Sequence, residues 1–208
     1  MPTFQQMDAR EWKSCAQLAA EAFYDYEYFS IYIPGDRRRQ RFLDALLRCE
    51  FRANRSLPAV RFFTAKEDGQ LAAVAQLCTP DFKKPDDLSY VRAGWLGVLC
   101  RGGVKSVNAW NEMEKVASAP CHALPGRNWY LSLLTVAPRF EGRGVGSAFL
   151  RECIIPYVKA QGGETLSLFT NSGINRKFYA KNGFTEFDEK HFTYEGRTIG
   201  SWSCLMRF

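Results

Sequence analysis

Between Trp129 and Ser147 the chain reads WYLSLLTVAPRFEGRGVGS, and few folds can accommodate that run. Its first half, Trp129 to Val136, is apolar apart from Ser132 and Thr135 and suits a buried strand. Pro138 ends the ladder because it has no N–H to donate. Gly142, Gly144 and Gly146 follow at alternate positions, where the missing Cβ lets the backbone press close to a ligand. From Gly144 onward Ala148, Phe149, Ile154 and Val158 recur at helical spacing, which places the glycines at a helix N-terminus. Orphan N–H groups and the positive end of the helix dipole converge there on any anion in front of them.

The spacing excludes two common phosphate loops. A P-loop needs Gly-Lys-Ser/Thr after four intervening residues, and the chain has no such string. The dinucleotide fingerprint needs G-x-G-x-x-G early in a βαβ unit, whereas this chain reads G-x-G-x-G late. Glycines after a strand fit a structural turn as well as a ligand site. The whole string is more specific. Val136-Ala137-Pro138 followed by Glu141-Gly142-Arg143-Gly144-Val145-Gly146 resembles the coenzyme A-binding motif of the GNAT superfamily of N-acetyltransferases, whose core is Gln/Arg-x-x-Gly-x-Gly/Ala after a strand ending in Val-x-Pro. Glu141 stands where that family usually has Gln or Arg. Its carboxylate would repel a pyrophosphate, so its side chain is expected to point away or to pair with Arg139 or Arg143.

A second match lies downstream. Thr165 to Thr170 reads as a strand and Asn171-Ser172-Gly173 as a turn. The segment from Asn175 to Phe184, NRKFYAKNGF, is similar to the family's Asn-x-x-Phe-Tyr-x-x-x-Gly-Phe helix and its exit. Asn175 is expected to cap that helix, with Phe178 and Tyr179 early in it and Gly183 in the left-handed position after it.

A chain of 208 residues that is 46% hydrophobic reads as one globular domain, 1–208, with an ample core. No apolar run approaches the roughly 20 residues of a bilayer span, and the N-terminus lacks a signal-peptide core. A cytoplasmic address without membrane partners is expected. The seven cysteines are odd in number and lack C-x-x-C spacing, so they read as reduced thiols. With only His122 and His191 available, no metal site is expected. The net charge of +6 suits a polyanionic cofactor. Its densest cluster, Arg37, Arg38, Arg39 and Arg41, opens a helix whose Phe42, Leu46 and Leu47 face a core, so these arginines read as a solvated face rather than a nucleic-acid site.

Asp8 with Glu11 marks a helix start, with Trp12, Cys15, Ala19 and Phe23 as one stripe, and a helix over Asp36 to Ala53 follows. Strands over Val60 to Lys66 and Leu71 to Thr79 flank Asp68-Gly69, a hairpin signal. Glycines and Pro85 break every regular period between Pro80 and Val104, and Val107 to Ser118 reads as a helix. Phe187 to Tyr194 and Thr198 to Phe208 close the chain as a hairpin around Glu195-Gly196. This order predicts an α/β (α+β) fold: a mixed, mostly antiparallel sheet flanked by helices, as in GNAT domains. The layout is most similar to the puromycin N-acetyltransferase-like branch, through Ala22-Phe23 before an acidic and aromatic stretch, Thr79-Pro80, Trp129-Tyr130-Leu131 and Trp202-x-Cys204-x-Met206. That branch often has a carboxylate before the threonine equivalent to Thr170, where this chain has Phe169.

The resemblance implies direct acetyl transfer from acetyl-CoA to a primary amine of a small molecule. It implies that main-chain N–H groups from Glu141, Gly142, Arg143, Gly144, Val145, Gly146 and Ser147 meet the pyrophosphate. Leu133, Leu134, Thr135 and Val136 would pair with the pantetheine amides as an added strand does, with Asn175 and Phe178 contributing to the cofactor site. A main-chain N–H near Leu134 is the candidate oxyanion donor, and Tyr179 aligns with the family's general acid. An amine with a lysine-like pKa is neutral in only about one molecule in 2,500 at pH 7, which calls for a proton acceptor among Glu112, Glu114, His122 and Tyr130. The stretch holding Phe23, Tyr24, Asp25 and Tyr28, with Glu114 and Tyr130, is the candidate acceptor floor, through carboxylates and cation–π contacts. Two alternatives stay open: a non-catalytic acyl-CoA sensor, and an enzyme acting on a protein lysine or N-terminus. The sequence leaves a homodimer open as well.

Overall fold

The computed structural model describes residues 2–208. Seven strands form one sheet in the order β1-β2-β3-β4-β5-β7-β6, with β1 Thr3–Gln6, β2 Val60–Glu67, β3 Gln70–Cys78, β4 Asn128–Val136, β5 Thr165–Thr170, β6 Thr185–Tyr194 and β7 Arg197–Arg207. Every neighbouring pair is antiparallel except β4 with β5. The two hairpin turns form where the sequence placed them. Asp68 and Gly69 have φ of 51° and 74°, and Glu195 and Gly196 have φ of 48° and 78°. Two successive positive φ values match the right-handed twist of the flanking strands.

Adjacent side chains on a strand face opposite ways, and aromatic neighbours show which helix covers which face. Phe62 packs on Phe51 of α3 (Asp36–Asn54), with ring centroids 4.8 Å apart, while Phe63 meets Tyr157 of α8 (Ile155–Ala160) at 4.7 Å. On β4, Trp129 reaches the same Tyr157 at 5.8 Å, whereas its neighbour Tyr130 turns to the opposite face. Helices α1 (Trp12–Ala22), α3 and α6 (Val104–His122) therefore share one face, and α8 takes the other. The short α2 (Glu27–Ser30) carries Tyr28 and Phe29 into the core on the α3 side.

The structure adds to or corrects the sequence reading at four points. β1 has no apolar alternation to mark it: its TFQQ is an edge strand, held by pairing with β2 from Thr3↔Lys66 to Gln6↔Phe63. The uninterpretable stretch after Pro80 contains two helices, α4 (Asp87–Ala93) and α5 (Trp95–Gly102), separated from each other and from α6 by Gly94 and Gly103 at φ of 119° and 76°. The glycines that hide the period are the breaks between short helices. α6 itself runs past Ser118 to His122 with Pro120 inside it, at the loss of one intrahelical hydrogen bond. Finally, Arg39 is buried rather than solvated. Its Nε donates to Tyr24 O at 2.7 Å, its Nη2 to Asp36 Oδ1 at 2.9 Å, and its guanidinium lies 4.7 Å from the Tyr24 ring centroid.

All seven cysteines are free thiols; Cys100 is exposed and Cys153 half-buried. Among the described residues no helix is long and apolar enough to cross a membrane, and no group of three or more metal-ligating side chains occurs.

Candidate active site

The site begins where the sheet opens. β4 and β5 pair only through Asn128↔Thr165, Trp129↔Leu166 and Tyr130↔Ser167. Beyond that point β5 continues with β7 and β4 with β3, so the two strands splay. Ser132 has no partner in the β3–β4 register, which jumps from Leu77↔Leu131 to Gln76↔Leu133, and this bulge bends β4 at the splay. Further along, the N–H of Ala137 donates to Ala72 O at 2.8 Å. Antiparallel strands alternate the direction of their N–H groups. Thr135 and Leu133 therefore also address β3, while the N–H groups of Leu134 and Val136 face the gap.

At the far end of β4 the glycine turn opens α7 (Val145–Ala148), which continues through a π-helical segment, Phe149–Ile154, into α8. The wider π turn accommodates Pro156, which has no N–H to offer. Gly142 and Gly144 have φ of 72° and 81°, and a Cβ on either would meet no atom within 4 Å. Backbone conformation, not crowding, requires glycine here, and the space in front of the turn is open. No side chain caps α7, so its first N–H groups are unclaimed. Gly146 is the packed member of the three: a Cβ there would lie 3.3 Å from Val136 Cγ2 and 3.4 Å from Phe178 Cζ. This uncapped cradle beside an open strand edge fits a linear molecule with a diphosphate at one end and amides along its length. Glu141 is exposed and pairs with neither neighbouring arginine. Arg143 Nη2 reaches Glu67 Oε1 at 3.2 Å, and Arg139 Nη2 donates to Leu71 O at 3.4 Å.

Helix α9 (Gly173–Lys181) starts at Ser172, whose Oγ accepts the N–H of Ile174 at 3.2 Å. The cap expected at Asn175 therefore sits one turn earlier, at Ser172, which lies two residues past the end of β5 with its hydroxyl in reach of the first helical N–H groups. Asn175 instead lies inside the helix and lines the cavity. Gly183 has the expected positive φ, 89°. Asn182 Nδ2 donates to Ser147 Oγ at 3.2 Å and to Phe178 O at 2.8 Å, tying the helix end to the glycine turn.

A cavity of about 640 Å³ runs from Leu134 and Tyr179, at the splay, to the ends of α3 and α6. Phe23, Tyr28, Glu114 and Tyr130 line it. Tyr24 and Asp25 do not: Tyr24 is engaged under Arg39, and Asp25 is exposed. Of the four residues considered as proton acceptors, only Glu112 lies outside the lining, because it occupies the solvent face of α6. Burial pushes the Tyr179 phenol well above its usual range, so it stays protonated at neutral pH. Burial and then the Lys84 charge hold His122 below its ordinary value. Its ring packs on Tyr130, centroids 4.5 Å apart.

Sequence reasoning missed several lining residues. Tyr26 OH accepts the N–H of Asn171 at 2.9 Å and lies 3.2 Å from Thr170 Oγ1, so the N-terminal segment is locked to the end of β5. Glu50 continues the buried stripe of Phe42, Leu46 and Leu47, where a carboxylate is out of place; that mismatch was the available signal. Burial, reinforced by Glu114 and opposed by Lys84, raises the Glu50 carboxyl to about 7. Burial likewise raises Glu114, again opposed by Lys84.

The sequence pattern of the "Acetyltransferase (GNAT) family" matches residues 12–184. No curated protein matches the chain. Among solved structures, the Drosophila melanogaster polyamine N-acetyltransferase, an enzyme that forms N-acetylagmatine, superposes over all of both chains with a TM-score of 0.62 and 14% identity. The PaiA N-acetyltransferase of Thermoplasma acidophilum in complex with coenzyme A covers 97% of this chain and 98% of its own, with a TM-score of 0.54 and 14% identity. The Escherichia coli ribosomal-protein-S18-alanine N-acetyltransferase covers 100% of this chain and 94% of its own, with a TM-score of 0.55 and 14% identity. At such identities the likeness bears on the fold. The family match covers most of the chain and agrees with the splayed strands and the glycine cradle: this chain belongs to the GNAT family of acetyltransferases, enzymes that use acetyl-CoA.

Proposed function

We propose that the protein transfers the acetyl group of acetyl-CoA directly to a primary amine of a small molecule. The observation that carries this reading is the cavity that starts at Leu134 and Tyr179, with the segment from Thr79 to Tyr90 and α6 contributing to its walls. A walled cavity of about 640 Å³ suits a compact acceptor better than a protein lysine or N-terminus, which needs a long groove. In this reading the whole chain, 1–208, works as one domain in the cytoplasm.

The main-chain N–H groups from Gly142 to Ser147 bind the diphosphate, and the open edge of β4 from Leu133 to Val136 pairs with the pantetheine amides. When bound, acetyl-CoA supplies an electrophilic thioester carbonyl. The Leu134 N–H donates to that carbonyl oxygen, and one such donor is worth roughly 3 kcal/mol in the transition state. Tyr179, kept protonated by burial, gives its proton to the departing sulfur and recovers one from the acetylated nitrogen. His122, neutral at the rim, passes the excess proton of the incoming ammonium to solvent. The C–N bond forms as the C–S bond breaks, and the products are the N-acetyl amine and free thiol.

Thiol release from acetyl-CoA in the presence of a panel of small amines tests this. Release well above the amine-free rate is expected for at least one amine. A non-catalytic sensor would bind acetyl-CoA and release none, and a protein acetylator would respond only to peptides.

A further inference from the structure

At the end of the cavity formed by α3 and α6, Glu50, Glu114 and Asn54 contribute hydrogen-bond acceptors, with Lys84 and Lys115 also in the lining. Glu50 Oε2 is engaged: Asn54 Nδ2 donates to it at 3.0 Å and Tyr90 OH at 3.3 Å. Glu50 Oε1 has no hydrogen-bond partner, and neither oxygen of Glu114 has a hydrogen bond or ion pair among the described residues. Asn54 is 2% exposed and lines the same end, and its Oδ1 is buried without a partner. A buried acceptor left unsatisfied is costly, and this one is separate from the carboxylates. The nearby positive charge, Lys84, acts on both glutamates through space but forms a salt bridge with neither. Its ammonium lies 5.7 Å from the Tyr90 ring centroid. The walls between this end and Tyr179 are aromatic, with Tyr28 5.9 Å from Trp110 and 6.1 Å from Phe169 between centroids. Two carboxylates and an orphan carbonyl want a ligand that only donates, and a protonated amine has three N–H donors and no acceptor. Aromatic walls suit the alkyl chain leading to it and add cation–π attraction.

Resting on the acetyl-transfer reading, we infer that the acceptor is a linear diamine or polyamine, whose reacting nitrogen meets the thioester near Tyr179 while its second, protonated nitrogen is held by Glu50, Glu114 and Asn54. Charge follows the same logic. An acidic acceptor would meet two carboxylates in a desolvated space, and a neutral alkylamine would leave the acceptors unfilled. Selectivity therefore resides in the second cation, not in the nitrogen that reacts.

The test pairs each of 1,4-diaminobutane, 1,5-diaminopentane and 1,6-diaminohexane with the monoamine of equal length. kcat/KM is measured by thiol release, and binding to the full chain with coenzyme A by calorimetry. At least one diamine is expected to exceed its monoamine by roughly 10- to 100-fold, the range for a charged hydrogen bond made in a buried site. In Glu50→Gln the ratio should fall toward one, through a rise in diamine KM rather than a fall in kcat, and diamine binding should weaken at least about tenfold. Glu114→Gln serves if the first variant is poorly folded. Equal handling of every pair, or a ratio and a binding constant unmoved in both variants, overturns the inference and leaves acetyl transfer intact. If no amine releases thiol, the acetyl-transfer reading fails on its own, while calorimetry still judges the subsite: diamine binding that is absent, or equal in wild type and variants, overturns it.

Discussion

Tyr179 is buried between Phe178 and Phe184, at centroid distances of 5.1 and 5.5 Å, so replacing it with Phe keeps the packing and removes only the hydroxyl. If the phenol protonates the leaving thiolate, Tyr179→Phe should cut kcat by about 100-fold and leave acetyl-CoA affinity by calorimetry close to wild type. Undiminished turnover would remove it from the mechanism. Glu50 is informative through stability. Its carboxyl rises from 4.5 to about 7 in the folded protein, so the folded state holds this proton more tightly than the unfolded chain does. The associated stability is complete below about 4.5 and is lost as pH climbs through 7. Lys84, Glu114, Tyr90, Cys78 and Cys49 face the same carboxyl and fix the size of the effect. Glu50→Gln keeps a partner for Asn54 and Tyr90 and avoids the buried charge. Thermal unfolding should show the variant more stable at pH 8 by up to about 3 kcal/mol and nearly equal to wild type at pH 5. A gap that does not change with pH would mean the carboxyl is not desolvated as described.

At the level of elements, the glycine turn and the open strand edge make separable claims. Gly144→Val places a β-branched residue at φ of 81°, a strain of roughly 1–3 kcal/mol, and carries a side chain into the open space before the turn. Loss of acetyl-CoA binding with the circular dichroism spectrum preserved is expected; wild-type affinity would make the turn merely structural. The strand edge can be read without mutation. The amides of Leu134 and Val136 should exchange rapidly in the free protein and slow on adding acetyl-CoA, whereas those of Leu133 and Thr135, bonded to β3, should be protected in both states. The reverse pattern would mean that the opposite edge of β4 faces the gap.

For the whole molecule, acetyl-CoA at about 100 times its dissociation constant should raise the unfolding free energy by about 2.7 kcal/mol. That rise should be missing in Gly144→Val. The sheet class, both hairpins and the strand before the glycine turn were legible in the sequence because each has a local cause: Asp68-Gly69 and Glu195-Gly196 carry their turns, and Trp129 to Val136 carries its own hydrophobicity. β1 was not legible, since its pairing with β2 spans more than fifty residues of sequence and its composition is polar. The α3–α6 end of the cavity was half legible. Glu114 and Tyr130 were picked out, but Glu50 and Asn54, one turn apart on α3, and Lys84, from the segment before α4, are brought to them only by the folded chain. Tyr24 and Asp25 were misplaced because an aromatic and acidic run does not reveal which members turn inward.

The three-pair contact of β4 with β5 divides the sheet into a four-stranded leaf, β1 to β4, and a three-stranded leaf, β5 to β7. Each leaf is closed by its own hairpin, so little main-chain bonding stitches one to the other. A ligand laid in the cleft supplies rungs the polypeptide omits. Occupancy should therefore be felt as mechanical coupling: with the cleft filled, the two leaves breathe together, and with it empty they part first along Asn128 to Tyr130.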